Sequence, residues 1–123
     1  MKIRSLLLVD DDQNMRIIAE MILEIDFDVY LAESGRSGLV TAEYEQPDVI
    51  LLDVKMPDMD GPTTLIKLRE NPQTAAIPVI LMTACVQAHE TEWYRKLDII
   101  GLIEKPFDPM ELVSQIRTLT ALL

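Results

Sequence analysis

Three aspartates in a row, Asp10-Asp11-Asp12, follow directly on the apolar run Leu6 to Val9. A fourth, Asp53, ends the run Val49 to Leu52. Thr83 closes the run Ile77 to Met82, and Lys105 follows the run Ile99 to Ile103. Carboxylates gathered within a few ångströms repel one another, by roughly 4 kcal/mol for a pair about 4 Å apart at an effective dielectric near 20. They must then protonate or hold a cation, and all-oxygen ligation suits Mg2+ with water completing its octahedron. A metal, a hydroxyl from Thr83 and a fixed positive charge from Lys105 would together suit a phosphoryl group, whose oxygens need neutralising. One carboxylate would then be the nucleophile that takes the phosphoryl as an acyl phosphate. Taken singly, each residue has a plainer reading. The aspartates cap a helix or sit in a turn, Thr83 caps the next helix, and Lys105 is surface charge.

The chemistry therefore depends on the elements that carry these residues. Ile3 to Val9 and Val49 to Asp53 are short apolar runs bounded by turn residues, the pattern of strands buried on both faces. Phe27 to Leu31, Ile77 to Met82 and Ile99 to Ile103 supply three more strands, the proline at position 78 being tolerated near a strand start. Between them the spacing turns helical. Met15, Ile18, Met21-Ile22 and Ile25 recur at three and four residues, with Asp11 or Asp12 as cap. Ser34-Gly35 opens a second helix with Leu39, Val40 and Tyr44 inward, and Gln46-Pro47 stops it. Thr63 to Glu70 forms a third, with Leu65 and Leu68 inward, ended by Asn71-Pro72. Val86 to Leu97 is a polar fourth. Asp108-Pro109-Met110-Glu111 starts the last, a capping carboxylate followed by proline and glutamate, with Val113, Ile116, Leu119 and Leu123 on its apolar face.

Strictly alternating strands and helices imply parallel pairing through right-handed crossovers. The expected fold is an α/β, flavodoxin-like, doubly wound five-stranded parallel sheet of order 2-1-3-4-5 with five helices. In such sheets the ligand crevice lies outside the carboxyl ends of the strands, between the first and third. Asp10-Asp11 and Asp53 occupy those two ends, with Asp53 at mid-sheet.

A chain of 123 residues suits one domain, expected to span 1–123. The net charge of −10 argues against nucleic acid and against anionic membrane surfaces, both of which need a basic face. The apolar run after Lys2 and Arg4 is too short for a signal peptide or a membrane span. One cysteine, Cys85, excludes an intrachain disulfide and fits a cytoplasmic home.

Other patterns fail. Asp10, Asp12 and Asn14 imitate the start of a calcium loop, but Met15 and Met21 replace its glycine and closing glutamate. Gly35 and Gly38 lack the lysine of a phosphate loop. His89 is read as solvated, Cys85 as packed, and Trp93-Tyr94 as partly core. An enzyme using an aspartyl phosphate generally carries a second acid two residues after the nucleophile, where Lys55 stands here. A scaffold that takes no phosphate is the remaining alternative, and the intact acidic, threonine and lysine set argues against it.

The chain resembles the receiver domain of two-component response regulators, chemotaxis regulators among them. The resemblance rests on L-L-L-V-D-D-D, L-L-D-V-K-M-P-D-M-D-G, V-I-L-M-T-A and I-E-K-P-F, in that order, and covers essentially the whole chain. It implies a regulator with only weak self-phosphorylation and autodephosphorylation activity. Asp53 would take a phosphoryl group from a histidine kinase or histidine phosphotransfer protein. Asp11 would bind Mg2+ directly, Asp10 mainly through water, and the Lys55 backbone carbonyl would be a further ligand beside Asp53. Thr83 and Lys105 would hold the phosphoryl group, and the Lys105–Pro106 bond would be cis. The output would be a protein partner on the face of helix 4, strand 5 and helix 5, with a second copy of the chain as a further candidate. This sequence departs from the family at Leu102, where an aromatic usually follows the threonine inward. The Lys55 side chain is expected to overhang the phosphoryl site and alter its hydrolysis.

Overall fold

The computed structural model describes residues 2–84 and 88–123, the side chains of 88–91 excepted. Cys85, the His89 side chain and the start of the polar helix at Val86 lie outside the described residues. Among the described residues five strands alternate with five helices: β1 Ser5–Val9, α1 Gln13–Leu23, β2 Asp28–Ala32, α2 Gly35–Glu45, β3 Val49–Asp53, α3 Gly61–Glu70, β4 Val79–Thr83, α4 Ala88–Arg95, β5 Gly101–Glu104 and α5 Leu112–Thr120. The strands form one sheet in the order β2-β1-β3-β4-β5, with every neighbouring pair parallel. This is the expected topology. Among the described residues no helix is long and apolar enough to cross a membrane.

The strands read as apolar runs because helices cover both faces of the sheet. Leu7, Val9, Ile50, Leu52, Val79 and Leu81 point into one core layer with Ala42, Leu65, Leu68 and Tyr94. Leu6, Leu8, Val49, Leu51, Ile80 and Met82 point into the other with Ala19, Leu23, Leu112 and Ile116. Alternate residues thus serve opposite layers, as the strand period of two requires. Of the Trp93-Tyr94 pair read as partly core, Tyr94 is buried and Trp93 is exposed.

Two helices turn a different face inward from the one that bulky residues suggest. On α1, Ile18, Met21 and Ile25 are exposed by 47%, 64% and 82%, while Ala19 and Leu23 are buried. Met15 and Ile22 are half-buried on the edges of that stripe. On α2, Val40 and Tyr44 point outward, and Gly35, Gly38 and Ala42 form the buried stripe. A side-chain carbon added to Gly38 would lie 2.9 Å from Val9 Cγ2, so the helix seats its backbone against β1. The packing face is set by smallness there, and smallness carries no hydrophobic signal. The last helix begins at Leu112, after a turn in which the Asp108 carbonyl accepts from Glu111 N and Leu112 N. Asp108 Oδ1 accepts from Met110 N at 2.9 Å, Glu111 makes no side-chain cap, and Leu123 is exposed.

The loops that hold the carboxyl ends of the strands are fixed locally. Asp12 caps α1, its Oδ1 accepting from Asn14 N at 2.9 Å and Met15 N at 3.3 Å. Asp60 caps α3 through Thr63 N at 2.9 Å, and Asp58 takes the left-handed turn at φ 68°. Gly61 then lets α3 start against β3. Any side-chain carbon there would collide with the backbone carbonyl of Asp53. Gly61→Ala is therefore expected to lower stability by about 2 kcal/mol or more, within the range for strained backbone substitutions. Urea unfolding measures it, and a change under 0.5 kcal/mol would show that this loop yields freely.

Candidate functional site

The strand register brings the acidic and basic residues to one end of the sheet. β1 runs beside β3, with Val9 opposite Leu52, so Asp10 and Asp53 leave neighbouring strands. β4 pairs Asp53 with Met82, and β5 pairs Glu104 with Thr83. Lys105 N donates to Thr83 O at 2.8 Å, which carries the lysine over the same end. A cavity of about 260 Å3 opens there, lined by Asp10, Asp11, Asp53, Lys55, Thr83 and Lys105 among others. The residues expected to bind metal and phosphoryl group thus line one cavity. The Lys105–Pro106 bond is cis.

Lys105 bridges the two buried carboxylates. Its Nζ lies 2.9 Å from Asp10 Oδ2 and 3.2 Å from Asp53 Oδ2. Asp10 is fully buried, Asp53 is 5% exposed and Thr83 is buried, so the pocket floor is shielded from water. Asp10 Oδ1 also accepts from Asp12 N at 2.9 Å. Asp11 is exposed at the mouth, and oxygens of Asp10, Asp11 and Asp53 lie within 4.8 Å of one another. One ammonium cannot neutralise these carboxylates, and the remaining negative charge suits a divalent cation among oxygen donors.

A larger groove of about 520 Å3 adjoins the site, lined by Met56, Pro57, Pro62, Trp93 and Tyr94. Its walls are mainly apolar, and the reactive groups lie in the smaller cavity. Lys55, exposed, borders both.

Residues 6–117 match the family model of the response regulator receiver domain. The chain belongs to this family. It is 34% identical over 120 residues to the response regulator PleD of Caulobacter vibrioides, covering 98% of this chain and 26% of PleD. The chain thus spans about a quarter of that relative's length. It is 32% identical to the protein PilH of Pseudomonas aeruginosa, covering 96% of this chain and 98% of PilH. The solved chemotaxis protein CheY4 of Vibrio cholerae superimposes with a TM-score of 0.87 at 26% identity, covering 96% of this chain and 99% of that one.

The electrostatics of the receiver follow from burial. Burial first, then the neighbouring Asp10 carboxylate, push Asp53 up to about 6, against the downward pull of Lys105 and the Lys55 backbone N–H. Burial also opposes the charged ammonium of Lys105. The hydrogen bond to Asp10 and the charges of Asp53 and Asp10 outweigh it, so its pKa lies above the usual lysine value. Lys105 therefore stays cationic at neutral pH.

One contact at the receiver's acidic end was not legible from the strand ends. Arg16, on α1, donates from Nη1 to the Asp10 carbonyl at 2.6 Å. An arginine near the start of a helix that follows an acidic strand end is the only sequence signal for it, and that signal is weak.

Proposed function

We propose that this receiver takes a phosphoryl group on the Asp53 carboxylate from the phosphohistidine of a histidine kinase or phosphotransfer protein, in a Mg2+-dependent reaction. An Asp53 oxygen attacks phosphorus, the P–N bond breaks, and its electron pair stays on the imidazole nitrogen. Lys105 meets one phosphoryl oxygen and the Thr83 hydroxyl donates to another. Asp10, Asp11, Asp53 and the Lys55 backbone carbonyl would hold the Mg2+, which supplies neutralisation of the remaining phosphoryl charge. The observation that carries this reading is the Lys105 ammonium within 3.2 Å of both Asp10 and Asp53 in a cavity open to solvent. Self-catalysis is weak, because no acid stands two residues after Asp53.

Residues 1–123 act as a single receiver unit in the cytoplasm. The signal leaves by protein contact through the face of α4, β5 and α5, to a downstream protein or a second copy of the chain. Leu102 is half-buried against the layer that holds Tyr94 and Leu97, and it lacks a ring or hydroxyl to swing. Switching therefore runs through repacking around Thr83 and Leu102.

The test is incubation with Mg2+ and acetyl phosphate, followed by intact mass and size measurement. One added phosphoryl group on the wild type supports the proposal; no mass change with acetyl phosphate, and no uptake of a beryllofluoride mimic, would end it. Lys55 offers a finer check. Its side chain overhangs the cavity mouth and screens the acyl phosphate from water. Lys55→Ala is expected to shorten the acyl-phosphate lifetime roughly threefold, about 0.7 kcal/mol of barrier. Equal lifetimes would discard the screening role.

A further inference from the structure

The carboxylates of the acidic group are not held alike. Asp10 is gripped by Asp12 N and by Lys105 Nζ, each at 2.9 Å. Asp53 is gripped by Lys105 at 3.2 Å. Asp11 is exposed, and its carboxylate has no hydrogen-bond or ion-pair partner among the described residues. Its oxygen nevertheless falls within 4.8 Å of those of Asp10 and Asp53. Only the backbone directs it there.

The relevant piece of backbone is the peptide joining Asp10 to Asp11. That unit is planar, so the direction of the Asp10 carbonyl fixes the direction in which Asp11 departs. On its amino side, Asp10 is still tied to the sheet, its N–H donating to Ala32 O at 3.1 Å. The strand itself ends at Val9, and the Asp10 carbonyl is taken by Arg16 Nη1 at 2.6 Å, a short charge-assisted hydrogen bond. Arg16 is half-buried and does not line the acidic cavity.

We infer that Arg16 is a positioning residue for the divalent cation: by holding the Asp10–Asp11 peptide from helix α1, it aims the otherwise unheld Asp11 carboxylate at the point where the Asp10 and Asp53 oxygens converge. This rests on the reading of the acidic pocket as a Mg2+ site. Arg16 touches neither metal nor phosphoryl group; it acts through the backbone. Its charge by itself would work in the opposite sense, since a cation near the pocket repels Mg2+. Removal of Arg16 therefore has a different sign on each account. Loss of a positioning group weakens Mg2+ binding, loss of a mere nearby charge tightens it, and loss of a purely structural bond lowers stability and leaves affinity alone.

The experiment is calorimetric titration of the whole chain with Mg2+, alongside urea unfolding without metal, for wild type, Arg16→Ala, Arg16→Lys and Asp11→Asn. Arg16→Ala is expected to bind Mg2+ about tenfold more weakly, in the range seen when partners of metal ligands are removed. Arg16→Lys, which keeps a cationic donor, is expected to recover most of that loss. If Arg16→Ala does not fold, Arg16→Met keeps the alkyl packing and replaces it. Affinity unchanged or tighter in the Ala or Met variant, with Asp11→Asn still losing Mg2+, overturns the positioning role and leaves the metal site standing. A wild type that takes up no Mg2+ overturns both.

Discussion

Asp53→Asn is expected to abolish phosphoryl uptake and, in the absence of metal, to make the protein more stable at neutral pH. The first effect follows because an amide oxygen cannot serve as the nucleophile. Intact mass after acetyl phosphate treatment should show no added group, and a phosphorylated variant would move the acceptor elsewhere. The second effect follows from the cost of the ionised carboxylate. Burial and the Asp10 charge push the Asp53 pKa up to about 6, although Lys105 pulls the other way. The folded form thus keeps a proton that the unfolded chain has lost above about pH 4. In that window the native state binds more protons, so stability from this group falls as pH rises. Above about pH 6 the wild type carries the full penalty. The asparagine variant does not, and its advantage should be of order 3 kcal/mol at pH 7. At pH 4 the two proteins should converge. Thermal unfolding at both pH values, without and with Mg2+, reads this directly. Mg2+ should stabilise the wild type more than the variant. A variant less stable than wild type at pH 7 without metal would mean that the Lys105–Asp53 pair outweighs the burial it requires.

Lys105→Met is expected to act in the opposite direction. It leaves Asp10, fully buried, with a backbone N–H as its remaining partner, and leaves Asp53 beside it. Breaking one side of a buried ion pair strands a charge and typically costs about 3–5 kcal/mol. Asp10→Asn in the same chain removes the stranded charge and should recover much of the loss, since the neutral pair needs no counterion. Urea midpoints for the single and double variants, taken without metal, measure this coupling. The single variant should also take up phosphoryl groups about a hundredfold more slowly, the usual scale for losing one aimed donor to a developing charge. A Lys105→Met protein within 1 kcal/mol of wild type would show that the pocket is hydrated enough to carry its carboxylates unaided.

The order of strands, and with it the meeting of Asp10, Asp53, Thr83 and Lys105, was legible in the chain alone. A parallel strand covered on both sides must be an unbroken apolar run, and the runs of β1, β3 and β4 stop at Asp10, Asp53 and Thr83, which line the cavity, while Lys105 follows one residue beyond the run of β5. Parallel pairing puts all those stops at the same end of the sheet. Helix faces were less legible. Gly35, Gly38 and Ala42 carry the inward side of α2, and Ala19 shares that of α1, because a close-set helix needs small residues. Val40, Tyr44, Ile18 and Met21 are bulkier and point outward. Local periodicity weighs size and polarity, so it favoured the wrong stripe.

The remaining decisions belong to the assembled fold. A shared sheet end did not say that Lys105, 95 positions further along, would pair with Asp10 at 2.9 Å and bridge it to Asp53 at 3.2 Å. The depth of burial that raises the Asp53 pKa, and the reach of Arg16 back to the Asp10 carbonyl, arise only once helices close over the sheet. Residue types and run boundaries name the participants in a pocket. The dielectric around them and the bonds that aim them are properties of packing, and no stretch of chain read alone contains them.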